Sequence, residues 1–207
     1  MIYKKDAQDI YRESFEIIRA ESDLSAFTPD LARVVVRMIH ACGMTDLPQY
    51  VSASPTAIEV GEQALLAGKP IFCDANMVAN GITRSRLPKD NEVICTLSDP
   101  KTGEIARRFD TTRSAAAVEL WRDKLDGSIV VIGNAPTALF HLLEMLEAGA
   151  PTPALIIGVP VGFVGAAESK MALEANPLNL PYLTIRGRRG GSAIAAAAVN
   201  ALASEEE

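Results

Sequence analysis

The segment spanning residues 33–43, "RVVVRMIHACG", holds the side chains best suited to chemistry in this 207-residue chain. His40 is one of two histidines in the sequence, and it stands near the end of a valine-rich stretch with the composition of a buried helix. Arg37 lies three residues earlier, so both side chains project from the same helical face. A neighbouring cation favours neutral imidazole, and a bound polyanion would restore the proton. The pair fits a proton donor that becomes protonated when an anionic substrate binds, although a structural histidine accounts for the same pattern.

Further arginines stand at the starts of predicted helices. Arg113 in "DTTRSAAA" lies in a first helical turn, where a cation opposes the helix dipole unless an anion compensates it. Arg186, Arg188 and Arg189 in "RGRRGGS" precede another helix, whose free N–H groups and guanidinium forks together suit an anion. A solvated basic loop is the alternative interpretation of that segment.

The segment "NGITRSRLP" adds Thr83, Arg84 and Arg86 to these basic positions. The combined pattern predicts a ligand that carries several carboxylates or phosphates and extends over a broad surface.

Several function classes are disfavoured by the sequence. It has no GxSxG or HExxH motif, and its histidines and cysteines are not clustered for a metal. The glycines of "GVPVGFVGAAESK" have neither dinucleotide-binding nor phosphate-loop spacing. His141 lies between leucines in a predicted helix, which favours packing or a surface position over catalysis. We therefore predict that the protein uses no metal and no cofactor.

Composition and charge indicate a soluble cytoplasmic protein. The formal net charge of −6 and the pI near 5.1 argue against nucleic acid as a partner. The three cysteines have no CxxC spacing and suit a reducing compartment. The first residues are polar and charged, unlike a signal peptide, and no apolar run approaches the roughly 20 residues that cross a bilayer.

The chain pattern predicts a single doubly wound α/β domain over residues 1–207, with a mainly parallel five-stranded sheet, helices on both faces and an N-terminal helical segment. Thr28, Pro29 and Gly43 bound one of the first helices as N-cap, first helical residue and C-terminal stop. Short apolar runs at 71–73, 93–97, 129–132, 155–159 and 182–185 alternate with helical segments, as in parallel sheets. Ligands of such sheets bind beyond the carboxyl ends of the strands. The alanine-rich helix from Ser192 either covers the sheet or packs at a subunit interface.

Five segments together resemble the precorrin-8X methylmutase family of cobalamin biosynthesis. They are "VVVRMIHACG", "CDANMVANGITRSRL", "GNAPTALFHLLE", "GVPVGFVGAAESK" and "RGRRGGSAIAAAAVNAL". They follow in unbroken order, so the resemblance covers nearly the whole chain. It implies an isomerase that moves a methyl group from C11 to C12 of precorrin-8X and yields hydrogenobyrinic acid. A cobalt-precorrin-8 methylmutase and a non-catalytic corrinoid carrier remain alternatives, and a nucleotide-dependent transferase is disfavoured by the glycine spacing.

The resemblance also implies roles for individual residues. His40 matches the proposed catalytic acid, and Ser14, Arg37, Thr83 and Arg113 match substrate-binding positions. On their charge and position, Arg186 and Arg188 are added to the predicted substrate contacts. Family members are homodimers, so a homodimer is expected, with release of the product to the next enzyme of the pathway as a further expected partnership.

Overall fold

A computed structural model describes residues 3–204. Within them, six strands form one sheet in the order β1-β6-β5-β4-β2-β3, and all neighbours are parallel except the antiparallel pair of β1 and β6. The strands are β1 Val51–Ala53, β2 Ile71–Cys73, β3 Val93–Ile94, β4 Ile129–Ile132, β5 Leu155–Gly158 and β6 Tyr182–Ile185. The chain leaves β3 at one edge and returns to β4 on the far side of β2, so the direction of winding reverses between β2 and β4.

Helices cover both faces of the sheet. They are α1 Ala7–Glu21, α2 Pro29–Cys42, α3 Ala57–Leu66, α4 Asn76–Gly81, α5 Pro100–Arg108, α6 Arg113–Glu119, α7 Pro136–Glu147, α8 Ala166–Glu174 and α9 Ser192–Leu202. Successive strand residues face opposite ways. Accordingly, Val131 and Ile157 join the core formed with α2, α4 and α9, whereas Val130 and Ile156 join the core formed with α6, α7 and α8.

The predicted α/β architecture is confirmed, but the predicted number of strands was wrong. The five predicted strands correspond to β2–β6, and β1 is an additional strand at the sheet edge. It is only three residues long and includes Ser52 and Ala53, so its sequence lacks the apolar run that marks the other strands. β3 ends at Ile94 rather than at residue 97. Beyond it, the Thr96 carbonyl accepts a hydrogen bond from the Thr102 hydroxyl instead of continuing the ladder.

The alanine-rich helix α9 covers the sheet, which resolves one of the two alternatives. Its residues from Ile194 to Leu202 are almost all buried. A Cβ atom built on Gly81 or on Gly133 would lie 2.7 Å from an alanine Cβ of α9. The small side chains on both sides therefore allow α4 and the end of β4 to approach α9 closely.

Helices α2 and α9 pack antiparallel. The Arg33 guanidinium, in the first part of α2, donates to carbonyls of Ala201 and Ser204 at the end of α9. At the opposite end, Asp46 follows α2 and forms an ion pair of 2.7 Å with Arg189, which precedes α9. The C-terminal end of α2, which carries His40, therefore lies near the N-terminus of α9.

Candidate active site

The crevice between the ends of β2 and β4, where the direction of winding reverses, is closed by the carboxylate of Asp74. Asp74 directly follows β2, is 1% exposed, and accepts hydrogen bonds of 2.7–2.9 Å from the backbone N–H groups of Gly133, Asn134 and Ala135. Burial raises the pKa of Asp74, and the three N–H donors oppose that effect. Because these donors are already occupied, the "GNAPTA" turn does not offer them to a ligand anion.

His40 lies in the last turn of α2, which Thr28 caps and Gly43 ends in the left-handed conformation at φ 69°. Its imidazole contacts two aromatic rings of α1. The ring centroid of Tyr11 is 5.3 Å away in a stacked arrangement, and that of Phe15 is 5.1 Å away in a tilted one. His40 nevertheless remains exposed to solvent.

The pKa of His40 is lowered from its ordinary value, first by burial and second by the positive charge of Arg37. Both effects act against the imidazolium form. His40 thus has a reduced tendency to carry a proton, as the sequence pattern predicted for a histidine beside a cation.

Arg37 is packed among groups that do not neutralise it. Its guanidinium lies over the Phe15 ring, 5.9 Å from the centroid, and its Nη1 is buried without a hydrogen-bond partner in the described part of the chain. Its pKa is lowered by burial and by the nearby charge of Arg86. A cation in this position is stabilised when an anion binds beside it.

A groove of about 750 Å³ adjoins this cluster. Its lining comes mainly from α1, and Arg86 is the lining residue that lies outside that helix: Ala7, Gln8, Tyr11, Arg12, Phe15, Glu16, Arg19 and Arg86. Tyr11 and Phe15 therefore contact His40 and also line the groove. The volume is that of a site for a large organic ligand rather than for an ion.

A profile of the precorrin-8X methylmutase family matches residues 9–205. The chain belongs to this family. The precorrin-8X methylmutase of Pseudomonas aeruginosa is 60% identical over 99% of both chains, and that of Sinorhizobium sp is 57% identical over 97% of this chain and 96% of its own. A cobalt-precorrin-8 methylmutase from Priestia megaterium is 39% identical over 94% of this chain and 86% of its own.

A solved structure of a precorrin-8X methylmutase from Thermus thermophilus has the same fold. It superimposes with a TM-score of 0.86 at 41% identity, and the match covers 95% of each chain. The α/β architecture inferred from the strand and helix pattern is therefore that of the precorrin-8X methylmutase family.

The residues predicted for the methylmutase site fall into two sets. Arg37 and His40 lie together, as their spacing required. Ser14 lies on α1 between Tyr11 and Phe15, where its hydroxyl donates to the Ile10 carbonyl at 2.7 Å. Thr83 precedes the 3-10 turn Arg84–Arg86, and its N–H donates to the Asn200 side chain at 2.8 Å.

The second set consists of three arginines elsewhere in the chain: Arg113 is the first residue of α6, and Arg186 and Arg188 lie in the loop after β6. Arg113 donates to the Leu97 carbonyl at 2.9 Å, beyond β3. Arg186 is paired with Glu174 at 2.9 Å, so its charge is already compensated, and Arg188 lies over the exposed Phe163 ring at 5.3 Å from its centroid. None of these three contacts the His40 cluster among the interactions of the described residues. Their roles as substrate ligands stay predictions.

Tyr11 and Phe15 were not predicted as site residues from the sequence. Their spacing of four residues on α1 was a detectable signal, but the same spacing also marks an ordinary core-facing stripe. Arg86 belonged to the basic pattern that predicted a polyanionic ligand, but it was not predicted as an individual site residue.

Among residues 3–204, no group of three or more His, Cys, Asp or Glu side chains is arranged to hold a metal ion. In the same part of the chain, no helix combines the length and apolarity needed to cross a membrane.

Proposed function

We propose that this protein is a precorrin-8X methylmutase that moves the methyl group from C11 to C12 of the macrocycle and yields hydrogenobyrinic acid. The observation that carries the proposal is the position of His40, one helical turn from Arg37 and stacked on an aromatic wall of the groove. Membership of the methylmutase family supplies the substrate class and the reaction.

The proposed role of His40 is that of a general acid. Its imidazolium protonates the conjugated ring system and makes it electron-poor, the methyl group migrates with its bonding electrons in a 1,5-sigmatropic shift, and a proton is then released. Substrate and product are isomers, so the step consumes no oxidant and no external methyl donor. General acid catalysis contributes about 10²- to 10⁴-fold in rate.

Binding of the substrate itself would favour the protonated form of His40. Acetate and propionate arms of the ring carry carboxylates, and one bound beside Arg37 compensates the charge that disfavours the His40 imidazolium. Ser14, Thr83, Arg113, Arg186 and Arg188 remain proposed contacts of the remaining arms. The reaction needs no redox or methyl-transfer cofactor, which supports the proposal that none is used.

The pattern of sequence identities supports the cobalt-free substrate. The relatives at 60% and 57% identity are named precorrin-8X methylmutases, whereas relatives named cobalt-precorrin-8 methylmutases are 34–40% identical. A side-by-side assay with both substrates tests this preference directly.

The resemblance to homodimeric family members supports a homodimer as the functional unit, in the cytoplasm, with delivery of the product to the enzyme that modifies it next. Light scattering at micromolar concentration should give twice the mass of one chain. A monomer mass under the conditions of the assay would contradict this part of the proposal.

Incubation of the purified protein with precorrin-8X tests the proposed function. The ultraviolet–visible spectrum should change to that of hydrogenobyrinic acid, with an unchanged molecular mass by mass spectrometry. A corrinoid carrier would bind the substrate without converting it. Dialysis against a strong chelator should leave turnover intact, and activity restored by one particular metal would refute the metal-free mechanism.

A further inference from the structure

Arg86 shares an unusual condition with Arg37. In the described residues, four buried side-chain N or O atoms lack a hydrogen-bond partner, and two of them are the Nη1 atoms of Arg37 and Arg86. A buried donor without a partner is costly, and more so when it is charged. The two guanidiniums are also close enough for the charge of Arg86 to lower the pKa of Arg37.

Three other arginines of the protein are compensated by carboxylates. Arg33 pairs with Glu62 at 2.6 Å, Arg186 with Glu174 at 2.9 Å and Arg189 with Asp46 at 2.7 Å. No such pair is formed by Arg37 or Arg86 within residues 3–204. Arg37 and Arg86 are therefore neighbouring cations with buried N–H groups and no acidic partner. A bound anion would accept hydrogen bonds from both and compensate their charge.

The groove beside the two arginines indicates what kind of ligand would bear the anionic group. Arg86 lines it together with the aromatic residues of α1, and the groove's volume of about 750 Å³ exceeds what a free ion would fill. The carboxylate must therefore belong to a large ligand whose apolar body contacts Tyr11 and Phe15. This combination fits one arm of a flat, polycarboxylate ring.

We propose that Arg37 and Arg86 together bind a single carboxylate arm of the macrocycle, which makes Arg86 a substrate-binding residue. This inference rests on the proposed function. The shared arm would lie one helical turn from His40, so it would reverse the effect of Arg37 on that histidine when the substrate binds. Arg86 thereby promotes proton donation through the ligand it holds, without touching the imidazole.

Titration with hydrogenobyrinic acid, followed by absorbance, tests the role of Arg86. Arg86→Gln should weaken binding by about 10- to 150-fold, the range expected for a charge-assisted hydrogen bond. Arg122→Gln removes the same charge from the opposite side of the sheet, where Arg122 pairs with Glu119, and should bind as the parent protein does.

Thermal unfolding separates binding from a structural role. Arg86→Gln should keep or raise the melting temperature of the ligand-free protein, because it removes an unpaired buried cation beside Arg37. A structural arginine would instead show a lower melting temperature with unchanged binding. If the glutamine variant fails to fold, Arg86→Met retains an apolar stem of similar length and should show the same weakened binding.

The double variant Arg37→Gln/Arg86→Gln tests whether one arm is shared. Residues that hold the same group are not additive, so the double variant should lose clearly less than the product of the two single losses. Multiplicative losses would mean separate arms and would overturn the shared site. Parent-like binding by a folded Arg86 variant, with the parent protein still converting precorrin-8X, would overturn the role of Arg86 alone. A parent protein that neither binds nor converts the ring would overturn the proposed function.

Discussion

The imidazole of His40 stacks against the ring of Tyr11, with centroids 5.3 Å apart and planes inclined by 27°. This contact joins the last turn of α2 to α1 and shields one face of the imidazole from water. Arg37 adds a positive charge from the preceding turn. Both influences lower the pKa of His40, and only one of them, the charge, can be removed by an anionic ligand.

The first prediction concerns the pH dependence of catalysis. A general acid is active when protonated, so kcat/KM should fall as the pH rises through the depressed pKa of free His40, below its ordinary value of about 6.5. A substrate carboxylate beside Arg37 favours imidazolium, so the corresponding fall in kcat should occur at higher pH. Steady-state rates between about pH 5 and 9 measure both midpoints. If kcat/KM and kcat fell with the same midpoint, substrate binding would not be raising the pKa of His40.

The second prediction concerns the arginines that orient the ring. Arg37→Ala should weaken binding of hydrogenobyrinic acid by about 10- to 150-fold, because each charge-assisted hydrogen bond contributes about 1.5–3 kcal/mol. Arg113→Ala should also weaken binding, although its guanidinium already donates to the Leu97 carbonyl. If both variants bound the product as tightly as the parent does, the carboxylate contacts would be wrongly assigned.

The helices and strands of this site could be predicted from the sequence more completely than the contacts between them. The Thr28 cap, Pro29 and Gly43 gave the bounds of α2, because helix ends depend on local hydrogen bonds and on backbone conformation. The stacking of Tyr11 on His40 depends instead on how α1 packs against α2, which local patterns do not encode. Asp74 is a similar case, since its three N–H partners lie about 60 residues further along the chain.

The third prediction concerns Lys170, which is 1% exposed and donates to the Arg189 carbonyl at 2.6 Å. Burial lowers the pKa of this amine from 10.5 to about 8. Between these values the unfolded chain retains a proton that the folded protein has lost, so stability should rise with pH over that window. The shift corresponds to about 3 kcal/mol at 1.36 kcal/mol per pH unit.

Urea unfolding of the parent and of Lys170→Met isolates this contribution. The stability of the parent relative to the variant should increase by up to about 3 kcal/mol between pH 7 and 10.5. Lys101→Met changes an exposed lysine and should show no comparable trend. A stability difference between parent and Lys170→Met that stays constant with pH would show that Lys170 is not titrating in this range.

The last prediction separates the two histidines. His40→Asn should bind hydrogenobyrinic acid and keep its fold, yet lose about 10²- to 10⁴-fold in rate, because asparagine retains a hydrogen-bond donor but cannot exchange a proton near neutral pH. That loss corresponds to about 2.7–5.4 kcal/mol of barrier. The measurement is single-turnover conversion of precorrin-8X by protein that is shown to be folded by circular dichroism.

His141→Asn is the matched control. His141 lies in α7, on the other face of the sheet, where its Nε2 is 2.8 Å from a carboxylate oxygen of Glu119 in α6. Its substitution should affect the contact between two helices and leave turnover intact. A structural role for His40 would produce the reverse pattern: lower thermal stability and weaker binding together, with the remaining folded protein still active. Near-normal turnover by folded His40→Asn would therefore refute the proton-donor role, whatever its effect on stability.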